Sequence, residues 1–523
     1  MSLFPPFWRN LAIATVVSVV LGSTLIFLDS QNLLSLEFEF IGAKAIVAAQ
    51  GPDPRLSAIG YAFPPFLIYL TMLLGSPIST QILLGTGLIG FFIWLVSQLS
   101  IPWFWRHIIL VLLLSNPAFL IMLLTSPTWT AASLFLGLTI LLYWHLINPR
   151  DSKYPLSVNL VLLGLTLAPL VLLRYEFWFL LPAFMVLSWF CVWDAHVQLK
   201  FTQVLVTSFM SIISIVGFLY VNWLISDDPF YFIYASGNGL RWPGLEFLLE
   251  PAPGLQAIWK SFSWLGQAMP VYYLICPFIF LKRSNFLVAR ILLLSLPILL
   301  LISLFWQNSF LPQASIWGAL LILVPITLLQ FSRLESPLLF LITLGLMASI
   351  CLTGHWLNMN RFIPDEGLVW RQITGQSIPT TGILSRWRQK QLDQQEISDL
   401  LFQRLRPGQK VLLDDAVNFS FIYLLQDSHM FILPHQYEFS VALNQPEEHV
   451  DYILVRRETG QPLPETIPNF VPDYDGINTT STNDRSKRRR AHYNLSSDHF
   501  FSGFASIGSN TFYQLFQRQE IKP

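Results

Sequence analysis

Two pairs of ionisable residues lie at the ends of long apolar segments and are the first candidates for chemistry. Glu37 and Glu39 follow the first segment, in LEFEFIGAK, and Arg174 and Glu176 follow the fifth, in LLRYEFW. A carboxylate partly withdrawn from water has a raised pKa, so it can take a proton from a substrate hydroxyl near neutral pH. Ionisable side chains at the edge of a bilayer usually face a polar cavity or a partner. The two pairs therefore predict a polar site at a membrane boundary, with a carboxylate as general base.

Both pairs also fit simpler interpretations, which the residues alone leave open. Glu37 and Glu39 fit the pattern of solvated acids in a loop. Arg174 fits a side chain that reaches out to lipid head groups. Tyr175 and Trp178 fit the aromatic belt that forms at membrane surfaces.

Several kinds of site have no support in the sequence. The three cysteines lie in apolar segments without disulfide or metal spacing: Cys191, Cys276 and Cys351. His355, Asp365 and Glu366 likewise lack the spacing of metal ligands. There is no phosphate-binding glycine loop and no nucleophile elbow, and the formal net charge of +0 gives no sign of nucleic-acid binding. We therefore predict no cofactor and no nucleic-acid partner, and no residue pattern indicates a divalent metal.

The composition requires a membrane around the elements that carry these residues. Of 523 residues, 53% are hydrophobic and 12% are charged, and the mean hydropathy is +0.53. Soluble domains carry about 25% charged residues, and a single core cannot bury so much apolar surface. We predict a polytopic α-helical membrane protein with about eleven spans, each long enough to cross about 30 Å of hydrocarbon. They lie near 10–28, 79–99, 107–125, 128–147, 157–173, 177–193, 203–225, 262–281, 288–306, 313–331 and 337–353.

The distribution of basic residues predicts the orientation. Lys and Arg are enriched in the cytoplasmic loops of membrane proteins. With a cytoplasmic N-terminus, nine basic residues of the span region fall inside and five fall outside. Arg9 precedes the first apolar segment and no small-residue cleavage site follows it, so this segment is predicted to be a retained span.

The chain is predicted to divide near position 360, because residues 361–523 hold 17 of the 31 basic residues. The membrane domain, 1–360, contains two long outer loops. Their apolar residues predict helices that lie along the membrane surface, over 29–78 and within 226–261, with Pro64 and Pro65 opening one helix of the first loop.

The region 361–523 is predicted to be a small α/β domain outside the cytoplasm. It alternates helical and strand patterns, in QQEISDLLFQRL, KVLLDD, NFSFIYLLQ, HMFIL, YEFSVALN and VDYILV. Within it, residues 474–494 are polar, basic and poor in apolar residues, which predicts a mobile segment.

The first outer loop carries a recognisable order of motifs. Acidic residues and A-K/R are followed by G-x-D-P and by an aromatic residue before Pro-Pro, here EFEFIGAK, GPDP and YAFPPFLIYL. SNPAFL after a short third span and RYE at the end of the fifth belong to the same pattern. In layout, the first part of the chain resembles the GT-C superfamily of membrane glycosyltransferases, most closely its bacterial mannosyltransferase-like and protein-mannosyltransferase-like branches.

The resemblance implies an enzyme of a bacterial-type plasma membrane. Such an enzyme moves a sugar from a polyprenyl-phosphate-sugar donor to a lipid, glycan or protein acceptor on the outer face, by inverting displacement. The base implied is Glu37, which takes the place of the family's Asp, with Glu39 as the second choice. Arg174 matches a basic residue of the family and is assigned to the donor phosphate. The full set of substrate-binding candidates is Lys44, Arg174, Tyr175 and Glu176.

Two other classes of function are weighed against the transferase. A secondary transporter or lipid flippase would need ionisable residues near the bilayer midplane and an inverted repeat, and the sequence shows no internal repeat. A non-catalytic membrane scaffold would use the α/β domain to recruit a partner, and its carboxylates would be dispensable.

Overall fold

A computed structural model describes most of the chain. The described residues are 6–51, 59, 65–147, 155–191, 196–230, 232, 254–274, 287–306, 311–329, 336–415, 418–456 and 503–519. Two compact units form: the first comprises Met1–Ser30, Pro77–Phe218 and Phe247–Ser377, and the second comprises Gln31–Ser76, Leu219–Glu246 and Ile378–Pro523. The first-loop residues are thus grouped with the C-terminal region, whereas the sequence placed them with the spans. The boundary near 360 stays a prediction.

The first unit is helical throughout its described part. Its helices are Pro6–Ser30, Pro77–Ser97, Trp103–Leu114, Pro117–Thr125, Pro127–Ile147, Leu156–Leu173, Glu176–Phe190, Val197–Ser226, Leu255–Ala268, Leu287–Trp306, Ala314–Leu320, Leu323–Leu328, Ser336–Asn358 and Pro364–Thr374. The end of Val197–Ser226 falls in the second unit.

The long helices have the length and the surface of membrane spans. Among the described residues, six helices are long and apolar enough to cross a bilayer, and a bent pair makes up to seven. Val16, Val19 and Val20 of the first helix are each at least 60% exposed. An apolar face of this kind is stable in contact with lipid rather than water. The protein is therefore an integral membrane protein, whereas the predicted count of eleven spans is not confirmed.

The predicted span over 107–125 is formed by two helices rather than by one. Two helices, Trp103–Leu114 and Pro117–Thr125, meet there at an angle of 51°. Pro117 has no backbone N–H to continue the first helix, and Asn116 accepts a bond from the Ala118 amide at 2.9 Å, which starts the second.

The predicted span over 313–331 is also interrupted, between Ala314–Leu320 and Leu323–Leu328. Pro325 cannot donate a bond to the carbonyl of Leu321, and the Val324 amide bonds that carbonyl instead, at 3.1 Å. Gly318 lets this region pack closely, since a Cβ there would lie 2.4 Å from the Ala118 carbonyl oxygen.

The region predicted as a span over 262–281 begins earlier than expected, as the helix Leu255–Ala268, and that helix ends before Met269. Its large exposed side chains are apolar, namely Leu255, Ile258, Trp259 and Phe262, and the smaller polar residues Gln256 and Ser263 are exposed beside them. This spacing, on one side of a helix, is typical of a helix that lies against lipid. Most of the second long loop lies outside the described residues.

The second unit is an α/β structure, as predicted for the C-terminal region. Its helices are Leu36–Gln50, Phe66–Leu74, Ile383–Arg404, Phe419–Leu425, Tyr437–Asn444 and Pro446–His449. Its strands are β1 (Val411–Leu412), β2 (Phe431–Ile432), β3 (Tyr452–Arg456), β4 (Phe504–Ser509) and β5 (Tyr513–Arg518). The strand order is β2-β1-β3-β5-β4. Strands β2, β1 and β3 are parallel, and β5 is antiparallel to both β3 and β4.

The helix Leu36–Gln50, named here the first-loop helix, belongs to the core of this unit. Eleven of its 15 residues are buried. Its Phe40 ring meets the edge of Phe419 at 5.3 Å, so the first-loop helix packs on the helix Phe419–Leu425. A helix that lies on a membrane with one face in water would bury fewer side chains. Pro65 precedes the helix Phe66–Leu74 as predicted, whereas Pro64 and the predicted mobile segment 474–494 lie outside the described residues.

Candidate functional site

Arg174 and Glu176 form a buried ion pair in the first unit. The helix Leu156–Leu173 ends where Arg174 takes an extended conformation, and Glu176 opens the next helix. Arg174 donates from Nε to Glu176 Oε2 at 3.1 Å and from Nη2 to Oε1 at 2.6 Å. The relative exposures of Arg174 and Glu176 are only 8% and 1%. Arg174 is therefore held in a fixed orientation by a two-pronged bond and does not extend freely to lipid head groups.

An aromatic residue, Trp129, also contacts the guanidinium of Arg174. The guanidinium carbon of Arg174 lies over the ring of Trp129, 4.6 Å from its centre. The electron-rich face of the indole attracts the cation. Trp129 in turn donates from Nε1 to Gln313 Oε1 at 2.9 Å. These contacts join the starts of three helices in one polar cluster. The sequence drew attention to Arg174 and Glu176 but not to Trp129 or Gln313.

Glu366 holds the start of the helix that follows Gln313. Its Oε2 accepts from the Ala314 amide at 2.7 Å, and its Oε1 accepts from the Ser315 amide at 2.9 Å and the Ser315 hydroxyl at 2.5 Å. Burial raises the pKa of the Glu366 carboxyl from an ordinary 4.5 to about 7, although the bonds from Ser315 and Ala314 oppose this rise. Glu366 is thus a buried helix cap.

The raised pKa of Glu366 makes stability depend on pH. The folded protein binds this proton more tightly than the unfolded chain, so the stabilising effect is complete below about pH 4.5 and is lost as the pH rises through about 7. The melting temperature of wild-type protein in detergent should fall more between pH 5.5 and 8 than that of Glu366→Gln. The Gln side chain of the variant has one acceptor oxygen where Glu366 has two. At pH 8 one backbone N–H at the start of the helix therefore loses its hydrogen bond, at a cost of about 1–3 kcal/mol.

The exposed Asp399→Asn serves as the matched control for this measurement and should behave as wild type. If the melting temperatures of Glu366→Gln and wild type fall by the same amount between pH 5.5 and pH 8, the role given to Glu366 is wrong.

The two candidate bases occupy different environments on the first-loop helix. Ser35 caps this helix by accepting a bond from the Phe38 amide at 3.4 Å, and Glu37 and Glu39 lie in its first turn. Glu39 is 8% exposed and accepts a bond from the Ser420 hydroxyl at 2.5 Å. Glu37 is only half-buried. As expected for residues two apart on a helix, the two side chains do not share one face.

Lys44 lies two turns further along the same helix, in a second buried ion pair. Its Nζ is 2.5 Å from Asp415 Oδ2, and the two side chains are 10% and 8% exposed. Asp415 follows β1, and His435 follows β2, so both lie at the carboxyl ends of neighbouring parallel strands. Burial lowers the pKa of the His435 imidazole to about 4, an effect that Lys44 reinforces and Asp415 opposes. His435 is therefore neutral near pH 7.

The structure thus groups the predicted residues in two sets. Glu37, Glu39 and Lys44 share the first-loop helix of the second unit, and Arg174 and Glu176 form a pair in the first unit. Tyr175, between them, is buried.

Sequence reasoning missed Asp415, Ser420 and His435. An acid directly after a predicted strand, in KVLLDD, was the available signal for Asp415. Within the described ranges, no three His, Cys, Asp or Glu side chains are grouped as metal ligands. Most of the GPDP and YAFPP motifs lie outside those ranges.

Comparison with solved structures identifies the fold. The chain superposes on ArnT from Cupriavidus metallidurans, a GT-C glycosyltransferase crystallised with undecaprenyl phosphate, with a TM-score of 0.53 and 10% identity over 99% of both chains. It also matches the apo oligosaccharyltransferase from Archaeoglobus fulgidus, with a TM-score of 0.40 and 12% identity over 87% of this chain and 70% of that one. No protein-family model and no curated protein sequence matches. At this identity the likeness shows that the chain shares the fold of ArnT, as the resemblance implied.

Proposed function

We propose that this protein is a glycosyltransferase that moves a sugar from a polyprenyl-phosphate-sugar donor to an acceptor hydroxyl outside the cytoplasm. The observation that carries the proposal is the fold shared over 99% of both chains with an enzyme whose crystal structure holds undecaprenyl phosphate. The buried polar pairs at Arg174 and on the first-loop helix support it, because a bundle that serves only as a scaffold gains little from burying charges.

The proposed reaction is a single displacement at the anomeric carbon of the sugar. Glu37 takes the proton of the acceptor hydroxyl as its oxygen forms a bond to that carbon. The bond between the carbon and the phosphate oxygen breaks, and the electron pair leaves with polyprenyl phosphate. Arg174 stabilises the charge that develops on the phosphate, since a guanidinium held by Glu176 and Trp129 requires little reorganisation. The acceptor is a lipid, a glycan or a protein.

A labelled substrate tests the proposal. Purified protein is incubated with a polyprenyl-phosphate hexose that carries the label in its sugar, with and without membrane extract as a source of acceptor. Transfer of the label to an acceptor, or slower release as free sugar, is the expected result. An unchanged donor under both conditions would refute the proposal.

The orientation of the chain is part of the proposal. Nine basic residues against five favour a cytoplasmic N-terminus, and with the eleven predicted spans residues 361–523 then lie outside the cytoplasm. A reporter fused after Pro523 that is active only outside the cytoplasm should be active in cells. If a reporter that works only in the cytoplasm is active when fused at the same point, the proposed orientation is wrong.

A further inference from the structure

Two polar contacts join the first-loop helix to residues that follow β1 in the chain. Lys44 meets Asp415 at 2.5 Å, and Glu39 meets Ser420 at 2.5 Å. The residue numbers rise on one element as they fall on the other, so the two segments run antiparallel. The Phe40–Phe419 contact lies beside the polar ones. The first-loop helix is therefore held in register, because sliding it along its neighbour would separate both polar pairs.

The ion pair contributes more to this register than a surface pair would. An exposed Lys–Asp pair contributes little because water competes for both groups. The side chains of Lys44 and Asp415 are only 10% and 8% exposed. Loss of one partner therefore leaves the other as a buried charge without a counter-charge.

We propose that Asp415 is a positioning residue: it holds Lys44, and through Lys44 it fixes the first-loop helix that carries Glu37. This inference rests on the proposed role of Glu37 as base. It gives Lys44 a different role from the phosphate ligand that the resemblance implies. It also makes the C-terminal α/β region necessary for transfer.

Three variants of the full-length protein in lipid nanodiscs test the proposal. Asp415→Asn removes the charge and keeps the shape. The charge-reversed pair, Lys44→Asp with Asp415→Lys, restores an ion pair between the same two positions. Asp451→Asn is the matched control, because it weakens a pair with Arg518 that is more exposed, at 41% and 21%, in the same unit. Hydrogen exchange of residues 36–50 and the kcat and KM for the labelled donor are measured for each.

Asp415→Asn should raise hydrogen exchange in residues 36–50 by about tenfold or more and lower kcat by a similar factor, with an unchanged KM for the donor. The charge-reversed pair should recover most of both losses. The control should match wild type in exchange over 36–50 and in kcat.

Two results would overturn the inference. The first is unchanged exchange of residues 36–50 in Asp415→Asn. The second is a charge-reversed pair that recovers the exchange protection but not kcat, since this outcome would make Lys44 itself a substrate ligand. If the proposed function is wrong, wild-type protein leaves the labelled donor intact. The hydrogen-exchange data then still decide whether Asp415 holds the first-loop helix.

Discussion

Replacing Glu37 by Gln is expected to slow sugar transfer by about 100-fold to 10,000-fold, because the amide cannot take the proton of the acceptor hydroxyl. Gln keeps the size of the side chain and its position in the first turn of the first-loop helix. Donor binding should therefore survive. The check is a comparison of kcat and of the donor dissociation constant between the variant and wild type.

Glu39→Gln is the matched control for this prediction. Glu39 is buried and accepts the Ser420 hydroxyl, and the amide oxygen of Gln can accept the same bond. Turnover should stay within a few fold of wild type. If Glu39→Gln abolishes turnover and Glu37→Gln does not, the base is Glu39. If neither substitution matters, the chain does not use a first-loop carboxylate as base.

Removing the charges of Arg174 and Glu176 together is expected to weaken donor binding by about 10-fold to 150-fold. This range corresponds to the loss of a hydrogen bond to a charged group, about 1.5–3 kcal/mol. The double substitution Arg174→Gln with Glu176→Gln is the appropriate test. Arg174→Ala alone leaves Glu176 buried at 1% exposure without a partner, which costs about 3–5 kcal/mol of stability and confuses the result.

Two single variants sharpen the Arg174 prediction. Arg174→Lys keeps the charge but loses the planar fork, so it should weaken donor binding while the protein remains folded. Glu176→Gln keeps the guanidinium and should bind the donor far better than the double variant does. Equal donor affinity in wild type and the double variant would exclude Arg174 from the donor site.

Local patterns predicted local elements well. The segment YEFSVALN forms the helix Tyr437–Asn444, and VDYILV contains β3, because apolar periodicity reports which face of an element is buried. The pairing of Arg174 with Glu176 was also foreseeable, since the residues are two apart at a helix boundary. The bend at Asn116 was missed because a hydropathy window averages over a single Pro117, whose missing N–H ends the helix.

Contacts between distant parts of the chain were not predictable in this way. Lys44 and Asp415 are 371 residues apart, and no periodicity reports that separation. The first-loop helix was expected on a membrane surface because LEFEFIGAKAIVAAQ is apolar on most sides. A helix of this composition fits burial in protein equally well, and only the packing against Phe419 distinguishes the two.

The most direct test of the transferase is the fate of the bond between sugar and phosphate. Purified protein in sealed vesicles is given a polyprenyl-phosphate hexose labelled in the sugar, and both the lipid product and the leaflet position of the donor are followed. We predict that wild-type protein releases polyprenyl phosphate in step with the loss of labelled donor, and that Glu37→Gln does not. A donor that changes leaflet with its sugar still attached would contradict the proposal and identify a transporter.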